Sequence, residues 1–149
     1  MSKKLVFFCF LTIMTLKSYD SYSQVSSGTF GAGVSIGFVN KAQLHYNFSP
    51  QTQIALNVGG FFIGDNIVFD NMGLTFKYFF SDSDLSSYTG VSGSLIFTGD
   101  IIFYGYIPLG IQKFTSKNFA VYGGFNPGFL YSGSVAFVLG VELGASFYF

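Results

Sequence analysis

The chain has 149 residues, of which 50% are apolar types, 21% are Phe or Tyr and only 9% are charged, and its formal net charge is zero. Soluble domains carry about 25% charged residues, so this composition cannot easily dress a water-facing surface, and seven Lys without Arg against seven acids exclude a basic nucleic-acid footprint. The length allows one domain and one core.

Lys3 and Lys4 precede a largely apolar run over residues 5–16, which gives way to a polar stretch with Ser21 and Ser23. That is the layout of a secretory signal peptide with a cut between Ser23 and Gln24. The run is shorter than the roughly 20 residues of a bilayer-spanning helix. The expected organisation is therefore a signal peptide at 1–23 and one unit at 24–149. Cys9 lies inside the apolar run, so the unit carries no cysteine, which excludes disulfides and thiolate metal sites from it. The unit's charges are Lys41, Lys77, Lys113 and Lys117 against Asp65, Asp70, Asp82, Asp84, Asp100 and Glu142, a net −2.

From Gly28 onward apolar residues recur with period two, the spacing at which side chains share one face of a strand. Phe30, Ala32, Val34, Ile36 and Phe38 alternate with Gly31, Gly33, Ser35 and Gly37. Ala42, Leu44, Tyr46 and Phe48 alternate with Gln43, His45 and Asn47, and Ile54, Leu56, Val58 and Phe62 with Gln53, Asn57 and Gly59. Met72, Leu74, Phe76, Tyr78 and Phe80 face away from Asn71, Gly73, Thr75 and Lys77. A polar turn at 81–87 leads to a strand with Val91, Leu95 and Phe97 against Ser92 and Ser94. A sixth strand over 101–114 sets Phe103, Ile107, Leu109 and Ile111 against Tyr104, Tyr106, Gly110 and Gln112, with Pro108 demanding a bulge or a strand end. Phe119, Val121 and Phe125 alternate with Ala120, Tyr122 and Gly124, and the chain closes on an eighth strand from Val135 to Phe149.

The second face decides the environment. It consists of Gly, Ser, Thr, Asn, Gln and Tyr with Lys77 and Glu142 almost its only charges, whereas a water-exposed face normally carries many. Such a face suits a narrow lumen, with the apolar face toward lipid and the sheet closed so that no edge is left unbonded. Eight strands of about 10 residues fit the length and sixteen do not. The predicted fold is all-β, an eight-stranded antiparallel up-and-down transmembrane β-barrel. The uncharged stretch 118–141 is no helical span, since it holds Pro127 and several Gly and alternates with period two.

The run from Val141 to Phe149, with Val141, Leu143, Ala145, Phe147 and Phe149 on one face and an aromatic last residue, resembles the terminal assembly signal of Gram-negative outer-membrane β-barrel proteins. With the signal peptide and strand count, residues 24–149 resemble a small barrel of the OmpA/OmpX type, a porin-like lone barrel without the periplasmic domain of larger members. The resemblance implies export to the cell outer membrane, lipid as the surrounding medium, insertion by the barrel-assembly machinery through the last strand, and termini on the periplasmic side. The turns near 49–53, 81–87 and 115–118 are then periplasmic, and those near 39–41, 64–70, 98–101 and 126–134 face the exterior. None is long, which argues against a dedicated adhesin.

An eight-stranded barrel is just wide enough for side chains to fill it. Lys77 and Glu142 both point inward, and a charge there needs a partner, so either a luminal Lys77–Glu142 pair plugs the barrel or Lys77 reaches the periplasmic rim and snorkels. Gln43, Asn57, Asn71 and His45, the sole histidine, are expected as luminal polar groups. His45 could act as a general base beside a serine, but no acid stands at matching depth to orient it, so catalytic, cofactor and metal sites are all read as none. Asp65, Asp70 and Asp100 lack the dense spacing of an oxygen-ligand loop, and the Gly pairs at 59–60 and 123–124 have no following helix or Lys to make a phosphate loop. The reading is a non-enzymatic outer-membrane barrel with a structural or surface-interaction role. The alternatives are a narrow solute or ion channel, or an accessory subunit of a larger outer-membrane complex.

Overall fold

The computed structural model describes residues 25–63 and 66–149, with the side chains of 61–63 and 66–68 excepted. The expected signal peptide and Asp65 lie outside the described residues. Period-two alternation has produced strands throughout: β1 (Thr29–Gly37), β2 (Lys41–Ser49), β3 (Thr52–Ile63), β4 (Asn66–Phe79), β5 (Leu85–Thr98), β6 (Asp100–Tyr106), β7 (Leu109–Ser116), β8 (Phe119–Tyr131) and β9 (Val135–Tyr148). Every pairing is antiparallel, and β1 bonds to both β2 and β9 while β4 bonds to β5. The sheet thus closes on itself as an up-and-down barrel.

The nine segments make eight staves, because β6 and β7 are one strand interrupted. β5 pairs Ser92 with Tyr106 of β6 and Thr89 with Leu109 of β7, and β8 pairs Gly128 with Tyr106 and Phe125 with Leu109. The register is the same on either side of Ile107 and Pro108, so the break removes ladder bonds without shifting a face. Its cause is Pro108, which has no N–H to donate, and the neighbouring Ile107 N–H turns to the Pro127 carbonyl at 2.9 Å. The demand for a bulge or strand end is met by a two-residue gap.

Several boundaries differ from the sequence reading. β5 begins at Leu85, inside the expected polar turn, because Ser86 and Tyr88 occupy inward positions and are buried. β8 runs through Asn126 and Pro127 to Tyr131, so the connection to β9 shrinks to 132–134, with Gly133 at φ 80°. Gly99 alone, at φ 99°, separates β5 from β6, where the left-handed region favours glycine. Asp70 forms an irregularity in the β3–β4 ladder between the Gly59–Asn71 and Gly60–Phe69 pairs.

The two faces are as different as the composition demands. Outward residues such as Val34, Ile36, Leu44, Leu74, Val91, Leu139 and Val141 are exposed, an apolar wall with Phe30, Phe48, Phe80, Phe119 and Phe147 near the end that bears the termini. Inward residues include Ser35, Gln43, Asn57, Thr75, Gln112 and Ser146, all buried. A buried polar interior behind an exposed apolar wall inverts the soluble arrangement and defines a transmembrane β-barrel. Large inward rings need room, and glycine on the adjacent stave supplies it: a Cβ at Gly144 would run into the Tyr122 ring and the Val34 carbonyl. Gly144→Leu is expected to destabilise the barrel by about 1–3 kcal/mol, read as a lower urea midpoint for loss of the heat-modifiable gel band. An unchanged midpoint would mean that the ring is free to move aside.

Candidate functional site

The chemistry-bearing side chains collect inside the barrel in three levels. Nearest the end opposite the termini, Lys41 opens β2 and Glu142 lies on β9. Lys41 Nζ stands 3.1 Å from Glu142 Oε2, both side chains being almost wholly buried, and donates to the Tyr106 hydroxyl at 2.8 Å. Asn126 Nδ2 donates to the same carboxylate oxygen at 2.9 Å. A buried ion pair persists only when further hydrogen bonds complete it, and Tyr106 and Asn126 supply them.

This corrects the expected pairing. Glu142 does point inward, but its ion-pair partner is Lys41, which the sequence reading had left in a connection. Lys77 is also buried, and its ammonium lies 4.7 Å from the centroid of Tyr88 and 4.3 Å from that of Tyr122, a doubly cation–π setting in which ring faces stand in for an anion. The signal that would have found Lys41 was present: it shares parity with Gln43, His45 and Asn47.

Across the middle runs a chain of hydrogen bonds. The hydroxyls of Ser92 and Thr75 lie 2.7 Å apart, Asn57 Nδ2 donates to Thr75 Oγ1 at 2.8 Å, Gln43 Nε2 donates to Asn57 Oδ1 at 3.0 Å, and the Tyr122 hydroxyl donates to Gln43 Oε1 at 2.8 Å. These residues belong to β5, β4, β3, β2 and β8 in turn, so the last bond spans the interior from wall to wall. Period two places each group on the inner face and the ladder register sets neighbours at one level: Gln43 pairs with Asn57, and Thr75 with Ser92.

The third level lies at the terminus-bearing end. Gln53 Nε2 donates to Asn47 Oδ1 at 3.1 Å, Gln112 Nε2 to the Tyr148 hydroxyl at 3.2 Å, and below them Phe114, Ala120 and Tyr148 pack together with Val25 against them. His45 sits above this group with its ring centroid 5.0 Å from that of Tyr148. Among the described residues neither of its ring nitrogens has a hydrogen-bond partner, so no serine or carboxylate there forms a relay with it. Asn71 is buried near the opposite end, its amide donating to Asp70 Oδ1 at 2.6 Å. Among the described residues no group of three or more His, Cys, Asp and Glu is placed to hold a metal. Of the last-strand residues, Val141, Leu143, Phe147 and Phe149 are exposed on the outer wall, and Ala145 shares their parity.

No family model and no curated protein matches the sequence. Among solved structures, the chain is similar to the N-terminal β-barrel domain of Pseudomonas aeruginosa OprF, with 16% identity over 84% of this chain and 100% of that one and a TM-score of 0.60. It is also similar to a structure from the de novo design of transmembrane β-barrels, with 16% identity over 85% and 99% of the two chains and a TM-score of 0.57. At such identity the likeness is one of fold.

Removing one partner of a buried ion pair leaves the other charge uncompensated and costs about 3–5 kcal/mol, whereas replacing both by apolar groups is often near neutral. Lys41→Met is therefore expected to lower the urea midpoint sharply, and Lys41→Met combined with Glu142→Leu to recover most of the loss. A double variant no better than the single one would show that Lys41 acts otherwise than by neutralising Glu142.

Proposed function

We propose that this chain is an integral outer-membrane β-barrel whose lumen is closed by its own side chains, with a structural or surface-interaction role rather than a catalytic one. The observation that carries the reading is the hydrogen-bonded chain from Ser92 to Tyr122, which crosses the interior at mid-height. A solute following the barrel axis would have to break it, beside a Lys77 ammonium held between two rings. The outer membrane is the proposed location because the amino-terminal run has the layout of a signal peptide and the last strand alternates to an aromatic end. Val141, Leu143, Ala145, Phe147 and Phe149 would then serve the assembly machinery during insertion and face lipid afterwards. Against catalysis stands His45, which has no group to orient it.

A narrow channel is the second reading, favoured by the buried polar atoms without partners, namely Ser35 Oγ, Asn71 Oδ1, Glu142 Oε1 and both nitrogens of His45. Such groups are usually hydrated by internal water. The two readings separate in planar bilayers. The native barrel is expected to give no discrete conductance steps, and Gln43→Ala with Tyr122→Ala, which removes the crossing bond, is expected to produce them. Steps from the native protein would replace the closed-lumen reading by the channel.

A further inference from the structure

Inward residues beside the turn at 117–118 stand at the mouth of the terminus-bearing end, where side chains should meet water. Yet Phe114 is 1% exposed, Ala120 0% and Tyr148, next to them on β9, 2%. Their cover comes from outside the sheet, for Val25, which precedes β1, packs against this cluster. The chain reaches it by crossing the mouth. Gly28 donates its N–H to the Asn47 carbonyl at 2.8 Å and Ser27 its hydroxyl to the Phe48 carbonyl at 2.6 Å, both on β2, whereas Val25 lies against residues of β7, β8 and β9. Gly28 makes the turn at φ 83°, in the left-handed region open to glycine.

Residues 25–28 thus form a strap, and its fastening differs in kind from that of the wall. It is held by one half-buried valine and by hydrogen bonds of exposed groups. Besides the two bonds to β2, Thr29 Oγ1 donates to the Ser26 carbonyl at 2.7 Å and lies 3.0 Å from the Ser26 hydroxyl. Bonds of this kind exchange with water at little net cost. Segments with few buried contacts and exposed hydrogen bonds open before the ladder does. The strap also lies beyond the ends of the staves, in water rather than hydrocarbon, so its release leaves no backbone group stranded in lipid.

Behind the cover lies His45. Its ring is 5.0 Å from that of Tyr148, which is 5.4 Å from that of Phe114. Although imidazole carries a donor and an acceptor that water readily bonds, His45 is 3% exposed and its nitrogens are unpartnered among the described residues. Between it and the mouth stand the Tyr148 ring and the amides of Gln53 and Gln112, which donate to the Tyr148 hydroxyl at 3.4 and 3.2 Å, groups that water can bond in turn. We propose that residues 25–28 are a releasable strap over the terminus-bearing mouth, shut in this structure, and that its opening admits water and small solutes as far as His45. The proposal rests on the closed-lumen reading above and names the part of the closure that opens without breaking the wall.

Because His45 is the sole histidine, its reaction with diethyl pyrocarbonate, followed by mass spectrometry of the protein in lipid nanodiscs at neutral pH, reads access directly. The reagent acylates an unprotonated ring nitrogen and releases carbon dioxide and ethanol. Native His45 is expected to react at least a hundredfold more slowly than free acetylhistidine. Val25→Asp, which expels the anchor from the apolar cluster, is expected to raise the rate at least tenfold with the heat-modifiable gel band intact and amide exchange at Gln112 and Tyr122 unchanged. Val25→Ser should act in the same direction, and Val25→Leu should keep the native rate. Val25→Asp and Val25→Ser at the native rate would overturn the strap and leave the closed lumen standing. Faster amide exchange along β7 and β8 in both variants would also overturn it, by showing that the wall and not the strap had opened. A native rate near that of the free amino acid would overturn both the strap and the closed-lumen reading.

Discussion

Every backbone hydrogen bond of this protein has to be made within its own wall, because hydrocarbon offers no alternative partner. A closed antiparallel sheet meets that constraint, and the rest follows from it. Closure assigns alternate residues to lipid and to an interior that, in an eight-stranded barrel, is just wide enough for side chains to fill. The outer face can then be almost free of charge, and the inner one must pack polar groups against each other. The ladder register becomes the organiser of the interior: because Gln43 pairs with Asn57 and Thr75 with Ser92, their side chains meet at one level and form most of the belt without any further design.

Interior volume is the second constraint, and it explains the glycines. The side chain of His45 lies against Gly31, that of Tyr88 against Gly110 and that of Tyr122 against Gly144, each a large ring opposite a residue with no side chain on another stave. Glycine is costly within a strand in a water-facing sheet. Here it is what lets the rings of His45, Tyr88 and Tyr122 share one lumen with buried amides such as Gln43 and Asn57. The aromatic rings in turn lower the demand for counter-charge, since Lys77 rests between two of them while Glu142 makes its direct ion pair with Lys41.

Parity was legible in the residues almost throughout, because period two survives most local disturbances; the exception is Asp70, where the slip between the Gly59–Asn71 and Gly60–Phe69 pairs puts Phe69 on the outer face together with Met72. Even Pro108 interrupts the β5 and β8 ladders without moving Tyr106, Gln112 or Phe114 off the inner face. Depth was not legible. Lys77 and Glu142 share a face, and parity alone suggested that they meet, but which inward residues lie level depends on strand tilt and on the stagger accumulated around the closed sheet. That stagger brings Lys41 to Glu142 across the top and sends Lys77 to the rings of Tyr88 and Tyr122. Strand ends were also poorly marked, since Ser86 and Ser87 read as part of a turn until the inward Ser86 and Tyr88 show that the alternation has already begun.

A fold shared at 16% identity with both a bacterial barrel domain and a designed barrel carries little functional information of its own, for the same wall can be built with no natural task in view. What distinguishes this chain must lie where it departs from a uniform barrel. One departure stands out on physical grounds. It is the buried ion pair of Lys41 and Glu142, which an apolar replacement could match in stability, so its presence points to a demand on the interior other than holding the wall together.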